Sequence, residues 1–227
     1  MCTLCPAMCE RTAVLSELNG SVASRIMFIG EAPGRKGADQ TRVPFSGDQS
    51  GKNFERFLAS IGLGREHIFI TSAAICNPRT ESGANRKPTR RELTNCSGFL
   101  RRTVEIVDPA VIVTLGSVAL DALKLIRPHD LSLRESAATV QSWDGRVLVP
   151  IYHPSPQVLA SHRREAEQLR DYKVVARAIK QARSCVSAAL PLDVRKGYAF
   201  PVSFRVIGAA PQWEAKPPKL KGSCGKA

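Results

Sequence analysis

The chain has 227 residues, and 43% of them are hydrophobic, which allows one sizeable α/β domain with a tail or two small domains. No apolar run approaches the roughly 20 residues of a membrane span, and no secretory signal is recognisable, so we expect a soluble intracellular protein without a membrane partner. The net charge of +13 indicates a polyanionic partner, most often nucleic acid, although a cationic surface without a specific partner has the same balance.

Strands and helices alternate along most of the chain. Short apolar runs predict strands at residues 25–30, 67–75, 110–116 and 146–152. Helical patterns predict helices at residues 50–64, 89–107, 117–126 and 163–182. This order predicts a three-layer α/β/α fold around a central, mostly parallel four-stranded sheet.

The composition changes near residue 184. From there the sequence lacks helical periodicity, and it contains seven Lys and Arg but only two acidic residues. We therefore predict a globular domain at residues 1–183 and a basic C-terminal extension at residues 184–227 that is partly disordered.

Three loops directly follow predicted strands, at residues 30–48, 72–88 and 152–162. Ligands of parallel sheets bind outside the carboxyl ends of the strands, so we expect these loops to meet in one site. The first loop is rich in glycine, as phosphate-binding loops are. However, Glu31 comes directly after the strand, and its carboxylate repels phosphate. This acid, with the absence of a G-x-G-x-x-G or P-loop pattern, argues against a phosphate-binding enzyme.

The cysteine spacing suggests a metal or cluster site. Cys2 and Cys5 have the C-x2-C spacing that lets two thiolates reach one centre, Cys76 follows the second predicted strand, and Cys96 lies in the next helix. Four thiolates from three places fit a [4Fe–4S] cluster or a zinc ion, whereas free buried thiols are the alternative. The cysteines without a partner by spacing are Cys9, Cys185 and Cys224.

Several motifs together resemble the iron–sulfur uracil-DNA glycosylases of families 4 and 5, over roughly residues 2–183. These motifs are "CTLCPAMCERT", "IGEAPG", "VPFSGD" and "YHPSP". Cys76 and Cys96 fall where the third and fourth cluster ligands are expected. The resemblance implies a [4Fe–4S] cluster on Cys2, Cys5, Cys76 and Cys96. It also implies hydrolysis of the N-glycosidic bond of uracil in DNA, the start of base excision repair.

The chain departs from both families in places. Glu31 looks like family 4, whereas the spacing from Gly34 to Phe45 and the stretch "GDQSG" look more like family 5. Family 4 has an Asn that reads the uracil edge where this chain has Ser72. The sequence is therefore identified as a divergent or intermediate member. We expect a monomer in the cytoplasm, associated with the nucleoid.

The resemblance and the chemistry of base removal assign roles to three residues. His153 is expected to donate to the uracil O2 as negative charge grows there. Glu31 is expected to orient a water or to favour the cationic sugar electrostatically. Asp48 is the rival acid, and Asp39 is a weaker candidate.

The flipped-out base needs a pocket with a stacking face and a polar edge. Phe45 is expected to stack on the uracil. The residue that reads the base edge stays open among Ser72, Asn85 and Asn77. The backbone around the base is expected to come from Gly30, Ala32, Pro33 and Gly34.

Contacts to DNA are expected to be mainly to phosphate. The loops near the site offer Ser155, Arg163, Arg164, Arg86 and Lys87. By resemblance, the segment after His153 inserts into the duplex, with Val158 and Leu159 as its apolar candidates. Taken singly, each cation also fits an ordinary surface residue.

Two other readings of the same motifs are open. The altered base-reading position favours a glycosylase, or a covalent trap, for another deaminated base such as hypoxanthine or xanthine. A catalytically inactive iron–sulfur module that binds nucleic acid is the second alternative. It would bind DNA without releasing a product.

Overall fold

The computed structural model describes residues 2–8 and 11–188. The extension from residue 189 onward, with Cys224, lies outside the described residues, as do Cys9 and the side chain of Cys185. The predicted domain boundary at residue 183 falls inside the last helix, which continues to Ala188.

Five strands form the central sheet in the order β2-β1-β3-β5-β4. They are β1 (Ile26–Gly30), β2 (Phe69–Ser72), β3 (Val111–Leu115), β4 (Gln141–Trp143) and β5 (Arg146–Ile151). The first four in this order pair in parallel, and β4 is antiparallel to β5. The predicted α/β/α fold with a mostly parallel sheet is confirmed, whereas the predicted number of four strands is wrong.

The missed strand β4 is short and joins β5 through a two-residue turn. Asp144 and Gly145 both have positive φ angles, of 50° and 74°, as the tight turns of antiparallel hairpins require. The Asp-Gly pair is itself a sequence signal for such a hairpin. The three residues of β4 are too few to show a strand pattern.

Seven α-helices surround the sheet in the described part of the chain. They are α1 (Ala38–Thr41), α2 (Gln49–Ala59), α3 (Arg90–Val107), α4 (Ser117–Lys124), α5 (Leu133–Ser136), α6 (Pro156–Ser161) and α7 (Glu165–Ala188). The short helices α1, α5 and α6 are additions to the prediction. In the described residues, no helix combines the length and hydrophobicity needed to cross a bilayer.

Two hydrophobic cores lie on opposite faces of the sheet. Successive side chains of a strand point to opposite faces. Phe28 therefore packs with Phe54 of α2 and Tyr172 of α7, while Ile29 packs with Leu100 of α3 on the other face. Every residue of β1 is buried, as expected for a parallel strand covered by helices on both sides.

The strand order creates a crevice at the carboxyl end of β1. β1 pairs with β2 on one side and with β3 on the other. The connection to β2 carries α2, and the connection from β2 to β3 carries α3 on the opposite face. The segments leaving the strands therefore diverge, and a parallel sheet binds ligands at such a point.

Gly51 and Gly98 provide a matched test of how tightly the first loop packs on α2. A Cβ at Gly51 would lie 2.4 Å from the carbonyl oxygen of Phe45, whereas a Cβ at Gly98 of α3 meets nothing within 4 Å. We expect Gly51→Ala to destabilise the fold by about 1–3 kcal/mol, because backbone must move. Gly98→Ala should stabilise it by about 0.5–1 kcal/mol. Urea unfolding of both variants checks this, and an unchanged midpoint for Gly51→Ala would contradict the packing described.

Candidate active site

A cleft of about 540 Å³ opens at the carboxyl edge of the sheet. It is lined by the segments that follow all four parallel strands. The predicted catalytic and base-binding residues that line it are Glu31, Ala32, Pro33, Gly34, Phe45, Asp48, Ser72, Asn77, Asn85 and His153. The three predicted loops thus meet at one place.

Phe45 and His153 stand together in this cleft. Their ring centroids are 5.5 Å apart, with an angle of 37° between the planes, so the two rings are in contact. Phe45 also packs on Phe54 of α2, with centroids 4.7 Å apart. A Cβ at Gly30 would lie 2.8 Å from the Phe45 ring. Gly30 therefore makes room for this ring, which is a different task from the predicted backbone contact to the base.

Arg65 holds the loop that carries Phe45. Its guanidinium donates to the carbonyl oxygen of Pro44 at 2.7 Å and to that of Phe45, and it pairs with Glu55 at 2.8 Å. Phe45 has a φ of 51°, a left-handed conformation that costs energy in a residue other than glycine. The hydrogen bonds from Arg65 stabilise this conformation.

Glu31 is half-buried at the exit of β1. Burial raises the pKa of its carboxyl above the usual value, and the nearby Lys87 ammonium lowers the pKa in part. Its backbone carbonyl accepts a hydrogen bond from the Ala74 N–H at 3.0 Å, which fixes the chain beside β2. The backbone of Glu31 is thus fixed beside β2, while its carboxyl group lines the cleft.

Asp48 has a structural role in addition to its place in the cleft. Its carboxylate is the N-cap of α2 and accepts from the Gly51 N–H at 2.9 Å. A Cβ at Gly37 would lie 2.5 Å from its second oxygen, and a Cβ at Gly34 would lie 2.9 Å from it. The glycines of the first loop therefore make room for a carboxylate. Asp39, by contrast, does not line the cleft and pairs with Arg79.

His153 follows β5 and is half-buried. Burial lowers its pKa to about 4, although the Asp48 carboxylate acts in the opposite direction. The imidazole is therefore neutral at pH 7, with one nitrogen that donates and one that accepts. A neutral imidazole in this position can donate a hydrogen bond without giving up its proton.

Asn77, one of the three base-edge candidates, is already satisfied by other groups. It is buried, donates to the Pro33 carbonyl at 2.6 Å and to Asn85 at 3.1 Å, and accepts from Arg79 at 2.5 Å. The Asn85 oxygen accepts from Asn77 and from the Arg35 N–H at 3.0 Å, so both of its lone pairs are used. Asn85 can therefore only donate, through its Nδ2 group.

Ser72 is the third candidate and lies at the last position of β2. Its hydroxyl oxygen is 3.6 Å from the place where a Gly30 Cβ would be, beside the Phe45 ring. A hydroxyl can donate one hydrogen bond and accept others. Of the three candidates, Ser72 is the one whose side chain keeps both abilities at the cleft.

Two of the predicted DNA-binding cations form ion pairs within the fold. Arg86 binds both oxygens of Glu92, at 2.8 and 2.6 Å. Arg163 binds both oxygens of the buried Asp171, at 2.9 and 2.6 Å. The other predicted contacts are Lys87 and Arg164, which are exposed, and Ser155, which caps α6. Arg163 and Arg164 do not line the cleft, whereas Arg86, Lys87 and Ser155 do.

The four predicted ligand cysteines come together beside the cleft. Cys5, Cys76 and Cys96 share a small buried cluster with Met8 and Ile75, and Cys2 is half-buried. The pKa of the Cys76 thiol is raised to about 11. Burial is the largest cause, and the charges of Cys96, Cys2 and Cys5 contribute to the increase. The four sulfurs are therefore close enough to interact electrostatically.

One polar side chain is placed against this sulfur cluster. The Asn95 amide donates to the Leu4 carbonyl at 2.7 Å and to the Cys5 sulfur at 3.4 Å. Within residues 2–8 and 11–188, no three His, Cys, Asp or Glu side chains are arranged to hold a single metal ion.

The fold and the cleft define an α/β protein with an open cleft at the carboxyl edge of a parallel sheet, next to four cysteines. The chain belongs to the uracil DNA glycosylase superfamily, whose model matches residues 19–176. It is 32% identical to the Type-4 uracil-DNA glycosylase of Thermotoga maritima, over 82% of this chain and 89% of that protein.

Similarity extends to both types of relative. The chain is 36% identical to the Type-4 uracil-DNA glycosylase of Archaeoglobus fulgidus, over 69% of this chain and 77% of the relative. It is 31% identical to the Type-5 uracil-DNA glycosylase of Pyrobaculum aerophilum, over 72% and 74% of the two chains. The prediction of a family 4- and 5-like sequence is confirmed.

The sequence analysis did not identify the residues whose side chains fix the loops around the cleft. These are Arg65, Asn53, Gln168 and the pair of Asp39 with Arg79. None belongs to a motif, and each acts on backbone or side chains far along the chain. Pro154 and Pro156 were the available signal, because a proline-rich loop lacks backbone donors and must be held by side chains.

Proposed function

We propose that this protein is a monofunctional uracil-DNA glycosylase, which hydrolyses the N-glycosidic bond of uracil in DNA and so starts base excision repair. The observation that carries the proposal is a neutral His153 in contact with Phe45, in the same cleft as the Glu31 carboxyl. The relatives named Type-4 and Type-5 uracil-DNA glycosylase support it.

The base enters the cleft as a flipped-out nucleotide. The two rings of Phe45 and His153 are too close for a base to fit between them. The base therefore stacks on the outer face of Phe45, a contact worth about 1–3 kcal/mol. The histidine presents a ring edge to the base oxygen.

Bond cleavage sends the electron pair of the C1′–N1 bond to the uracil ring. His153 stabilises the uracil anion by donating a hydrogen bond to O2, without transferring its proton, because its pKa of about 4 keeps the imidazole neutral. A water oxygen then bonds to C1′. Glu31 orients this water, accepts its proton, and stabilises the positive sugar. Asp48 is the weaker choice for this task, because one of its oxygens caps α2.

Recognition of the base edge falls to Ser72 in this proposal. The Asn85 oxygen already has two donors, so the amide of Asn85 serves a base oxygen or a phosphate as a donor. A hydroxyl both donates and accepts, and it discriminates less between base edges than a fixed amide does. This favours one second candidate function, which is excision or covalent trapping of another deaminated base such as hypoxanthine.

Four thiolate donors fit a [4Fe–4S] cluster, and the resemblance to the iron–sulfur glycosylases supports one held by Cys2, Cys5, Cys76 and Cys96. Such a cluster supplies electron transfer, which hydrolysis does not require. Its proposed role is to fasten residues 2–8 to α3 and the loop between Cys76 and Cys96.

DNA containing uracil, single- or double-stranded, is the proposed partner. Lys87 and Arg164 are exposed and remain available for phosphate, with Ser155 near the cleft. We propose that Val158 of α6, which lines the cleft, inserts into the duplex, whereas Leu159 packs on the core. We propose that the protein acts as a monomer, in the cytoplasm and at the nucleoid.

Excision from a labelled oligonucleotide with one uracil tests the function. We expect single-turnover cleavage after alkali with the unchanged protein, and a rate about 10²–10³ lower with His153→Ala, because the donor to the anion is lost. His67→Ala is the matched control, since His67 lies outside the cleft. The same assay with hypoxanthine and xanthine, and a denaturing gel for covalent adducts, covers the second candidate. DNA binding without product or adduct would contradict both.

The pH profile of the single-turnover rate separates Glu31 from His153. Burial raises the pKa of the Glu31 carboxyl, so the active carboxylate is lost as the pH falls through that raised value. His153 stays neutral until about pH 4. We expect an acid limb from Glu31 that begins above the ordinary range of a glutamate carboxyl, and no separate inflection from His153 near the ordinary histidine value (about 6.5). Glu31→Gln should be roughly 10²-fold slower and lack this limb. An unchanged limb in Glu31→Gln would assign it to another group.

Elemental analysis of the purified protein tests the cluster. We expect about four iron and four sulfide per chain, as a [4Fe–4S] cluster requires. Cys96→Ser should lose most of the iron, whereas Cys9→Ser, in the same N-terminal segment as Cys5 but outside the ligand set, should keep it. Stoichiometric zinc instead of iron would refute the cluster.

A further inference from the structure

The loop that carries His153 is held by two buried amides from different helices. Gln168 of α7 donates to the His153 carbonyl at 3.2 Å, and Asn53 of α2 donates to the Pro154 carbonyl at 2.9 Å. Asn53 is 5% exposed and Gln168 is 1% exposed. Two consecutive carbonyls therefore each receive a donor from a side chain that is shielded from water.

The chain between β5 and α6 needs such donors. It contains Pro154 and Pro156, which have no backbone N–H, and it lies between the end of β5 at Ile151 and the start of α6. Among the described residues, no backbone N–H donates to the carbonyls of His153 and Pro154, whereas the Ser155 carbonyl accepts from the Leu159 N–H at 3.0 Å. Buried carbonyls without a donor are costly, and here the donors come from side chains.

The orientation of the Asn53 amide is itself fixed. Gln49, one helix turn earlier, donates to the Asn53 oxygen at 3.0 Å, which turns the Asn53 Nδ2 group toward Pro154. The side chain of the next residue, Phe54, packs against the Phe45 ring. The helix α2 therefore contacts both sides of the site, through Asn53 on the histidine loop and through Phe54 on the aromatic loop.

We propose that Asn53 and Gln168 are positioning residues, which hold the His153 ring at its distance from Phe45 and keep its edge toward the base. The kinetic consequence of this role rests on the proposed function, whereas the position of the histidine does not. A histidine freed from these two carbonyl contacts would move outward into the cleft and gain water around its ring.

The ionisation of His153 reports on this position independently of activity. Burial is what lowers its pKa to about 4, so a displaced ring should return toward the usual value. The charged groups that share the cleft are Glu31, Asp48, Arg86 and Lys87, with His162 at the end of α6. None of them changes in the variants proposed, so a shift in the pKa reports the surroundings of the ring.

The test compares Asn53→Leu with Asn19→Leu. Asn19 is a matched control, because it is also buried, donates to the Ile70 carbonyl at 2.7 Å, and accepts from the Ser16 N–H at 2.9 Å, but it lies away from His153. Both variants should lose comparable thermal stability. With Asn53→Leu we expect a single-turnover rate roughly 10- to 100-fold lower at unchanged DNA affinity, since small misplacements of a catalytic group cost this much. Asn19→Leu should change the rate less than about threefold, because the hydrogen bonds that it loses lie at Ser16 and Ile70 and not at the histidine loop.

Histidine-labelled NMR titration of the same two variants gives the second readout. The pKa of His153 should rise by about one unit or more in Asn53→Leu and stay unchanged in Asn19→Leu. An Asn53→Leu protein with an unchanged His153 pKa and rate would overturn the proposal. Should Asn53→Leu fail to fold, Gln168→Met applies the same test to the other carbonyl. If the unchanged protein excises no base, the proposed function fails, but the titration still decides the positioning role.

Discussion

The parallel pairing of β1 with both β2 and β3 is the constraint on which the site depends. The register pairs Gly30 with Ser72 and Ile29 with Thr114, so neighbouring strands end at the same level. The segments that follow these strands therefore lie at the same edge of the sheet. Gly30 adds a local condition, since only a residue without a side chain leaves room there for the Phe45 ring. The acid, the aromatic ring and the histidine thus meet although they are far apart in the chain.

Side chains rather than regular backbone pairing hold the loops of the cleft. Arg65 binds the carbonyls of the Phe45 loop, and Asn77 binds the Pro33 carbonyl. Asn53 and Gln168 do the same for the histidine loop. Each contact joins a loop to a part of the chain formed elsewhere, so the site takes shape only when the whole domain has folded. Rigid loops of this kind keep a catalytic arrangement at low cost in reorganisation.

The sequence was sufficient for the fold class and for most of the cleft. Buried strands such as β1 are continuous apolar runs, and the motif residues Glu31, Phe45 and His153 come together as expected. The sequence alone does not reveal the tertiary partners of the predicted side chains, because spacing carries no information about them. Arg163 has an acid eight residues along the chain as its partner, and Asn85 loses its acceptor to a loop amide. A residue's hydrogen-bonding capacity can be read from its type, but whether that capacity is still free is decided by tertiary contacts.

Asp48 has two separable roles in one carboxylate. Its carboxylate begins α2 and also contributes negative charge to the cleft. Asn and Ser cap a helix about as well as Asp, whereas longer acids do not. Genetic drift at this position can therefore remove the charge without harm to the helix, but it cannot lengthen the acid without weakening the helix. A change from Asp48 to Asn or Ser would therefore alter the electrostatic field around His153 while α2 keeps its N-cap.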